Sequence, residues 1–245
     1  MRNTKVKLLI LTSLIILLSG TLVLASGKGE KEISSKALSA KHGGTLRVGQ
    51  TTDITGPNPA DMGQPQELFY QQVFDTMILQ TREGTVEPML AESWEWNADK
   101  TKIRFKLRQD VKFHSGKQFT ADDVIANIKS HQNPAFGSKL RTSVMNIVRM
   151  EAVDKYTVDL YLKSFDVALF DALGMLYIID PEVLTADNKL QGTGPFKFVE
   201  WVPGTRLVLE RNPDYWDGDL PYLDKIVISV QPDAQTMVAN LESGA

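Results

Sequence analysis

Apolar and polar residues alternate along 93–96 and again along 103–107, the period of strands that bury one face. The Asn97, Ala98 and Asp99 cluster between them supplies turn chemistry, so the two runs are expected to pair as a hairpin. A short strand should follow, and then Thr120 stands where a helix N-cap belongs. Asp122 and Asp123 fall in the first turn of that helix, ahead of Val124, Ile125 and Ile128.

Elsewhere the same pattern predicts a short strand at 45–49, a turn-rich loop from 51 to 65, and a helix over 67–75. Leu68, Phe69, Tyr70, Val73 and Phe74 recur there at mixed helical spacings, which implies that the helix is largely buried. A second hairpin is expected from 149–153 and 156–162 across Asp154 and Lys155, then a helix over 165–173 and a buried strand over 175–179. Three more strands fit 196–201, 206–210 and 225–231, with Pro203-Gly204 turning the first pair. Asp233 is placed to cap a last helix through Leu241, with Gly244 near its stop. Strands and helices mix without strict β-α-β alternation, so the fold class is α+β, a mixed α/β lobe. No internal repeat is visible.

Composition narrows the function. The chain has 245 residues, 42% apolar and 23% charged, enough for a large core. Its formal charge is −3, and without Arg2, Lys5 and Lys7 it would carry 24 basic against 30 acidic residues, or −6. No basic stripe is available to neutralise phosphates, which argues against nucleic acid as a partner. Cysteine is absent, so disulfides, thiolate metal sites and a Cys nucleophile are excluded.

Residues 1–25 read as an export signal: Arg2, Lys5 and Lys7 form a positive start, 8–18 an apolar stretch, and Val23-Leu24-Ala25 a cleavage site before Ser26. The alternative is an uncleaved anchor, since the apolar region through Ala25 is about long enough to span a bilayer. Leu24-Ala25-Ser26-Gly27 is also similar to a lipobox, but with Gly27 where the acylated cysteine would stand. A free periplasmic protein is the expected product. Residues 26–42, rich in Ser, Lys, Glu and Gly with no apolar period, read as a flexible leader.

Candidate catalytic chemistry is sparse. His42, His114 and His131 show no metal-ligand spacing, and His114, in Phe113-His114-Ser115-Gly116, reads as a turn residue with a structural hydrogen bond. Gly192 to Pro195 lacks the ending and the helix of a phosphate loop, and reads as a rigid turn into a strand. Asp122-Asp123 with Glu92 could form an acid/base pair, but the two aspartates already have a capping role. Trp94, Trp96, Trp201 and Trp216 are expected in the core. There is no G-x-S-x-G and no H-E-x-x-H, so an exported hydrolase has no positive support, and no cofactor is indicated.

The residues of 87–124 go further. Ala91-Glu92-Ser93-Trp94, Val111-Lys112-Phe113-His114-Ser115-Gly116 and Phe119-Thr120-Ala121-Asp122-Asp123-Val124 resemble the first lobe of solute-binding protein family 5, the receptors of peptide- and nickel-type ABC importers. Gly43-Gly44-Thr45-Leu46, Gly192-Thr193-Gly194-Pro195-Phe196, Asn212-Pro213-Asp214-Tyr215-Trp216 and Pro221-Tyr222-Leu223-Asp224 are similar to further landmarks of that family, in the same order. The resemblance runs from Gly43 to the end, about four-fifths of the chain.

Family members are typically about twice as long, so the resemblance implies a periplasmic-binding-protein-like lobe with the second lobe absent. It divides residues 43–245 into a first subdomain (43–80 and 180–245) and an inserted, hairpin-rich subdomain (81–179). It implies a non-enzymatic, monomeric receptor that closes over a small solute or peptide and delivers it to an ABC permease. The loop at 51–66 ends at a helix N-terminus, where free N–H groups can meet a carboxylate or carbonyl. By similarity to oligopeptide receptors, Met62, Gly63 and Gln64 are expected to contact solute, and Thr52 and Asp53 on the same loop are expected to be substrate-binding as well. A plain connector remains the alternative for this loop. Peptide, nickel chelate, sugar and opine stay open as solutes, as does a sensor or scaffold that no longer transports.

Overall fold

The computed structural model describes residues 42–56, 64–183, 191–218 and 220–243. The export signal and nearly all of the leader lie outside these residues. The first strand, β1 (Thr45–Gln50), leads through the loop at 51–56 to α1 (Gln64–Val73). A small hairpin follows, β2 (Ile78–Gln80) and β3 (Val86–Pro88), and then the larger hairpin of β4 (Ala91–Trp96) and β5 (Lys102–Leu107). Next come α2 (Ala121–Gln132), a one-turn 3-10 helix at Pro134–Phe136, α3 (Arg141–Val144), β6 (Ile147–Asp154), β7 (Thr157–Leu162) and α4 (Leu169–Met175). The chain ends with β8 (Phe196–Val202), β9 (Arg206–Arg211), β10 (Lys225–Val230) and α5 (Ala234–Ser243).

These strands build two four-stranded sheets. One has the order β1-β10-β9-β8, in which β1 runs parallel to β10 and the other pairs are antiparallel. The other has the order β4-β5-β7-β6 and is antiparallel throughout. Each sheet carries its own apolar cluster. Against the first lie Phe69, Tyr70, Val73 and Phe74 at the end of α1, packed on Leu207, Leu209, Ile226 and Ile228. Against the second lie Val124 and Ile128 of α2 with Leu169 and Leu173 of α4, packed on Ile103, Phe105, Val158 and Leu160.

Local chemistry explains most of these elements. In β5, Ile103, Phe105 and Leu107 are buried while Lys102, Arg104 and Lys106 alternate to the other face, as the period of two requires. On that other face Asp159 of β7 accepts from Arg104 Nε at 2.6 Å and Lys102 Nζ at 3.1 Å. The Arg104 hydrogen bond holds the Asp159 carboxyl below its ordinary 3.8. At the start of α2 the cap works through the acid: Asp123 accepts from the Thr120 N–H at 2.9 Å, and Lys117 Nζ meets its other oxygen at 2.6 Å.

Several expectations change in detail. The short strand before Thr120 reduces to one bridge between Lys112 and Gln118, with Phe113 and Phe119 in the core. The helix expected over 165–173 begins only at Leu169, because the Asp166 carboxylate accepts from Ala168 N–H at 2.9 Å and holds a turn. Leu68, expected within a largely buried helix, is 41% exposed, whereas the aromatics beside it are buried.

The buried strand expected over 175–179 is not formed: Met175 closes α4, and only Tyr177 makes a bridge, to Thr76. A side chain takes the place of a partner strand there. The buried Asn127 amide donates to Ile179 O at 2.8 Å and accepts from Ile179 N at 3.0 Å, so the backbone is satisfied without a ladder.

Candidate functional site

Two parallel strands of the first sheet, β1 and β10, end side by side, with Gln231 N–H donating to Gln50 O at 2.8 Å. From this carboxyl edge β1 runs into the loop at 51–56 and on to α1, while β10 turns into α5. Asp233 caps α5, accepting from Thr236 N–H at 2.7 Å. In open α/β sheets the crevice beyond the carboxyl ends of parallel strands is where ligands settle.

Residues 53–56 of the loop after β1 are each fastened. The Asp53 carboxylate accepts from the Trp201 indole N–H at 3.1 and 3.2 Å, from Gly204 N–H at 2.5 Å and from Ile54 N–H at 2.8 Å. Ile54 is buried in the first cluster. The Thr55 hydroxyl accepts from Gln66 Nε2, and Gly56 O accepts from the Tyr70 hydroxyl at 3.2 Å.

Of the five residues expected at the site, Thr52 is exposed on this loop and Asp53 faces the turn between β8 and β9. Gln64 is the first residue of α1, so its backbone stands at a helix N-terminus. Its side chain lies outside the described residues, as do Met62 and Gly63. The structure therefore brings Thr52 and Asp53 onto one loop and leaves the other three undecided.

The remaining candidates have other work. His114 Nε2 lies 2.9 Å from Gly194 O, and burial pushes its pKa down to about 4 against that hydrogen bond. His131 Nδ1 lies 2.6 Å from Ser138 Oγ, and burial lowers it to about 4 as well. Among the described residues no group of three His, Cys, Asp or Glu side chains could hold a metal ion. Trp94 and Trp96 pack around Phe170, while Trp201 and Trp216 are half-buried and use their indole N–H groups on Asp53 and Asp75.

Asp75 is the polar centre that sequence reasoning missed. Its fully buried carboxylate accepts from Thr193 Oγ1 and Trp216 Nε1, each at 2.9 Å, and from Tyr215 OH at 3.2 Å. Burial raises its pKa above 3.8, and the hydrogen bonds from Trp216, Thr193 and Tyr215 act in the opposite direction. Its partners are more than a hundred residues away, so no local spacing could reveal it. It joins three chain segments inside the protein.

Two clefts flank β1. One, of about 290 Å³, is apolar and lined by Leu46, Leu68, Phe196, Leu220, Tyr222 and Ile228. The other, of about 400 Å³, lies between the strand and α5 and is lined by Arg47, Ser229, Gln231, Met237 and Leu241 among others.

Comparison with known proteins places this architecture. Residues 85–245 match the family described as "Bacterial extracellular solute-binding proteins, family 5 Middle". Heme-binding protein A of Haemophilus influenzae is 32% identical over 206 residues, which covers 71% of this chain and 37% of that protein. The oligopeptide-binding protein AppA of Bacillus subtilis is 29% identical over 262 aligned residues, covering 100% of this chain and 48% of the relative. The solved structure of AppA with a nonapeptide superposes with a TM-score of 0.78 at 27% identity, over 84% of this chain and 43% of that one. NikZ from Campylobacter jejuni with Ni(L-His) gives 0.74 at 26% identity, over 82% and 42%.

The chain thus spans less than half the length of the relatives it matches, with a mixed α/β fold like that of solved periplasmic binding proteins. Among its described residues no helix is long and apolar enough to cross a membrane. The match over 85–245, the shared fold and the ordered landmarks agree: this chain belongs to the family 5 bacterial extracellular solute-binding proteins.

Proposed function

We propose that this chain supplies the first lobe of a periplasmic receptor that binds a peptide-sized solute without covalent chemistry and delivers it to an ABC permease. The observation that carries this reading is the fastened loop at the carboxyl edge of β1 and β10, which runs on toward the N-terminus of α1. Similarity to AppA over the whole chain supports a peptide as the solute. Thr52, Met62, Gly63 and Gln64 are the proposed contacts, and closure of a second lobe over them would bury the solute. A first subdomain (43–80 and 180–245) and an inserted one (81–179) would each hold most of one apolar cluster, with Met77 and Ile78 packing in the second and Tyr177 and Ile179 in the first. An export signal cleaved after Ala25 would deliver the protein, as a monomer, to the periplasm.

A nickel-chelate receptor is the second reading, favoured by the similarity to NikZ. The described residues offer no metal-holding cluster, so a chelate would be recognised through its organic ligand. Titration calorimetry on a chain carrying both lobes, against a peptide library and nickel–histidine, separates the two. With peptide as solute, Gln64→Ala is expected to weaken binding by about 1 kcal/mol, the net worth of one hydrogen bond. Gly63→Trp should weaken it far more by filling the space between the lobes. Unchanged affinity in the tryptophan variant would remove this loop from the site.

A further inference from the structure

We propose that Asp53 is a positioning residue of the solute loop, clasping its first residues, 51–56, to the β8–β9 turn so that they are ordered before any solute arrives. This rests on residues 51–56 forming part of the solute site proposed above. Both oxygens of the Asp53 carboxylate are engaged inside the protein: Trp201 Nε1 lies 3.1 and 3.2 Å from them, Gly204 N at 2.5 Å and Ile54 N at 2.8 Å. The carboxylate is therefore turned toward the sheet.

Its partners are well placed to act as an anchor. Trp201 lies on β8 and packs against the first apolar cluster, so the indole N–H has a fixed origin. Gly204 sits at the tip of the turn with φ of +70°, a conformation that glycine adopts without strain. Three further tethers follow in the next three residues: Ile54 in the core, the Thr55 hydroxyl on Gln66, and Gly56 O on the Tyr70 hydroxyl. Residues 51–56 belong to no helix or strand, so these tethers, with Asp53 foremost, fix the backbone in place of a ladder. A loop ordered in advance lowers the entropy cost of holding a solute.

The test is a comparison of backbone order parameters by NMR in the 245-residue chain, with Asp53→Asn and Trp201→Phe. The asparagine has one acceptor oxygen, and its amide N–H groups oppose one of the three donors. Order parameters at residues 52–56 are expected to fall from the rigid range near ~0.85 to below ~0.6, while those of residues 69–73 in α1 stay rigid. Trp201→Phe keeps an aromatic ring and the Gly204 bond while removing the indole N–H, and should give an intermediate fall. Unchanged order parameters in Asp53→Asn would overturn the proposal, and so would an equal loss in α1, the mark of a purely structural role.

A second measurement separates the clasp from the site. In a chain carrying both lobes, Asp53→Asn should weaken the tripeptide that the parent binds best by about tenfold, through the added ordering cost. A loosened loop with unchanged affinity refutes the loop as the solute site, and with it any part for Asp53 in binding. A loosened loop with weakened binding supports both.

Discussion

Gly192→Ala is expected to destabilise the chain by about 3 kcal/mol or more, through overpacking against backbone that cannot move aside. A Cβ at this position would stand 2.0 Å from Val73 O and 2.5 Å from Phe74 Cδ1. Val73 closes α1 and Phe74 follows it, and there Phe69 packs on Tyr70 and Phe74 while Tyr70 and Phe74 both meet Tyr177. The segment cannot retreat in the other direction either. Gly192 O accepts from His114 N–H at 2.8 Å, and Gly194 N–H donates to Val73 O at 3.0 Å. Gly56→Ala is the control, since a Cβ there meets nothing within 4 Å. Urea unfolding decides the matter: a Gly192→Ala midpoint that matches the control would show that this crossing is looser than drawn.

Acid should begin to weaken the chain below pH 6.5, before most carboxylates titrate. Burial lowers both His114 and His131 from 6.5 to about 4, so the folded state favours neutral imidazoles. His114 donates from Nε2 to Gly194 O, while Nδ1 has no hydrogen-bond partner, and a proton added there would bring an uncompensated charge into the interior. Lys197 nearby adds to the penalty.

Both groups have folded pKa values below their unfolded ones. Their contribution is therefore complete above 6.5 and is lost as pH falls toward about 4, on the order of a few kcal/mol for the pair. Asp159, with its lowered pKa, begins to cost stability only below 3.8, while Asp75, with its raised pKa, works the other way. Unfolding free energies measured across this window should slope downward with acid, and His114→Gln with His131→Gln should flatten the slope. A parent profile that stays flat down to pH 5 would contradict this account.

Much of the fold could be read from the chain because its sheets are local. β4 with β5, β6 with β7, and β8 with β9 are hairpins whose turns and two-residue period lie within twenty residues. The Thr120 cap was equally legible, since its partner Asp123 is three positions away. What failed was set by distant residues. The stretch 176–179 has the composition of a strand, yet Asn127, 52 positions earlier, occupies the groups that a neighbouring strand would use.

The site was harder still. The resemblance placed solute contacts on the loop after β1 but said nothing of direction. Asp53 turned out to face Trp201, 148 residues along the chain, a contact that no spacing encodes. Asp75 carries no local signal either, because its carboxylate draws in Thr193, Tyr215 and Trp216, all more than a hundred residues away.

β1 is the outermost strand of its sheet, and among the described residues nothing pairs with its outer side. It has no proline and no bulge, and its only charge is Arg47. Exposed apolar side chains flank it on both faces, Leu46 and Leu68 in one cleft, Val238 and Leu241 in the other. Natural sheets blunt such edges with charge or distortion. Among the described residues this border is open to a strand from a second molecule, so the colloidal behaviour of this chain would turn on six residues. Two molecules that meet edge to edge need not unfold to join, so self-association follows concentration rather than stability. A preparation could be fully native and still cloud on concentrating. A single lysine in place of Leu46, at a position 44% exposed and outside both cores, would clear it while leaving the melting temperature where it was.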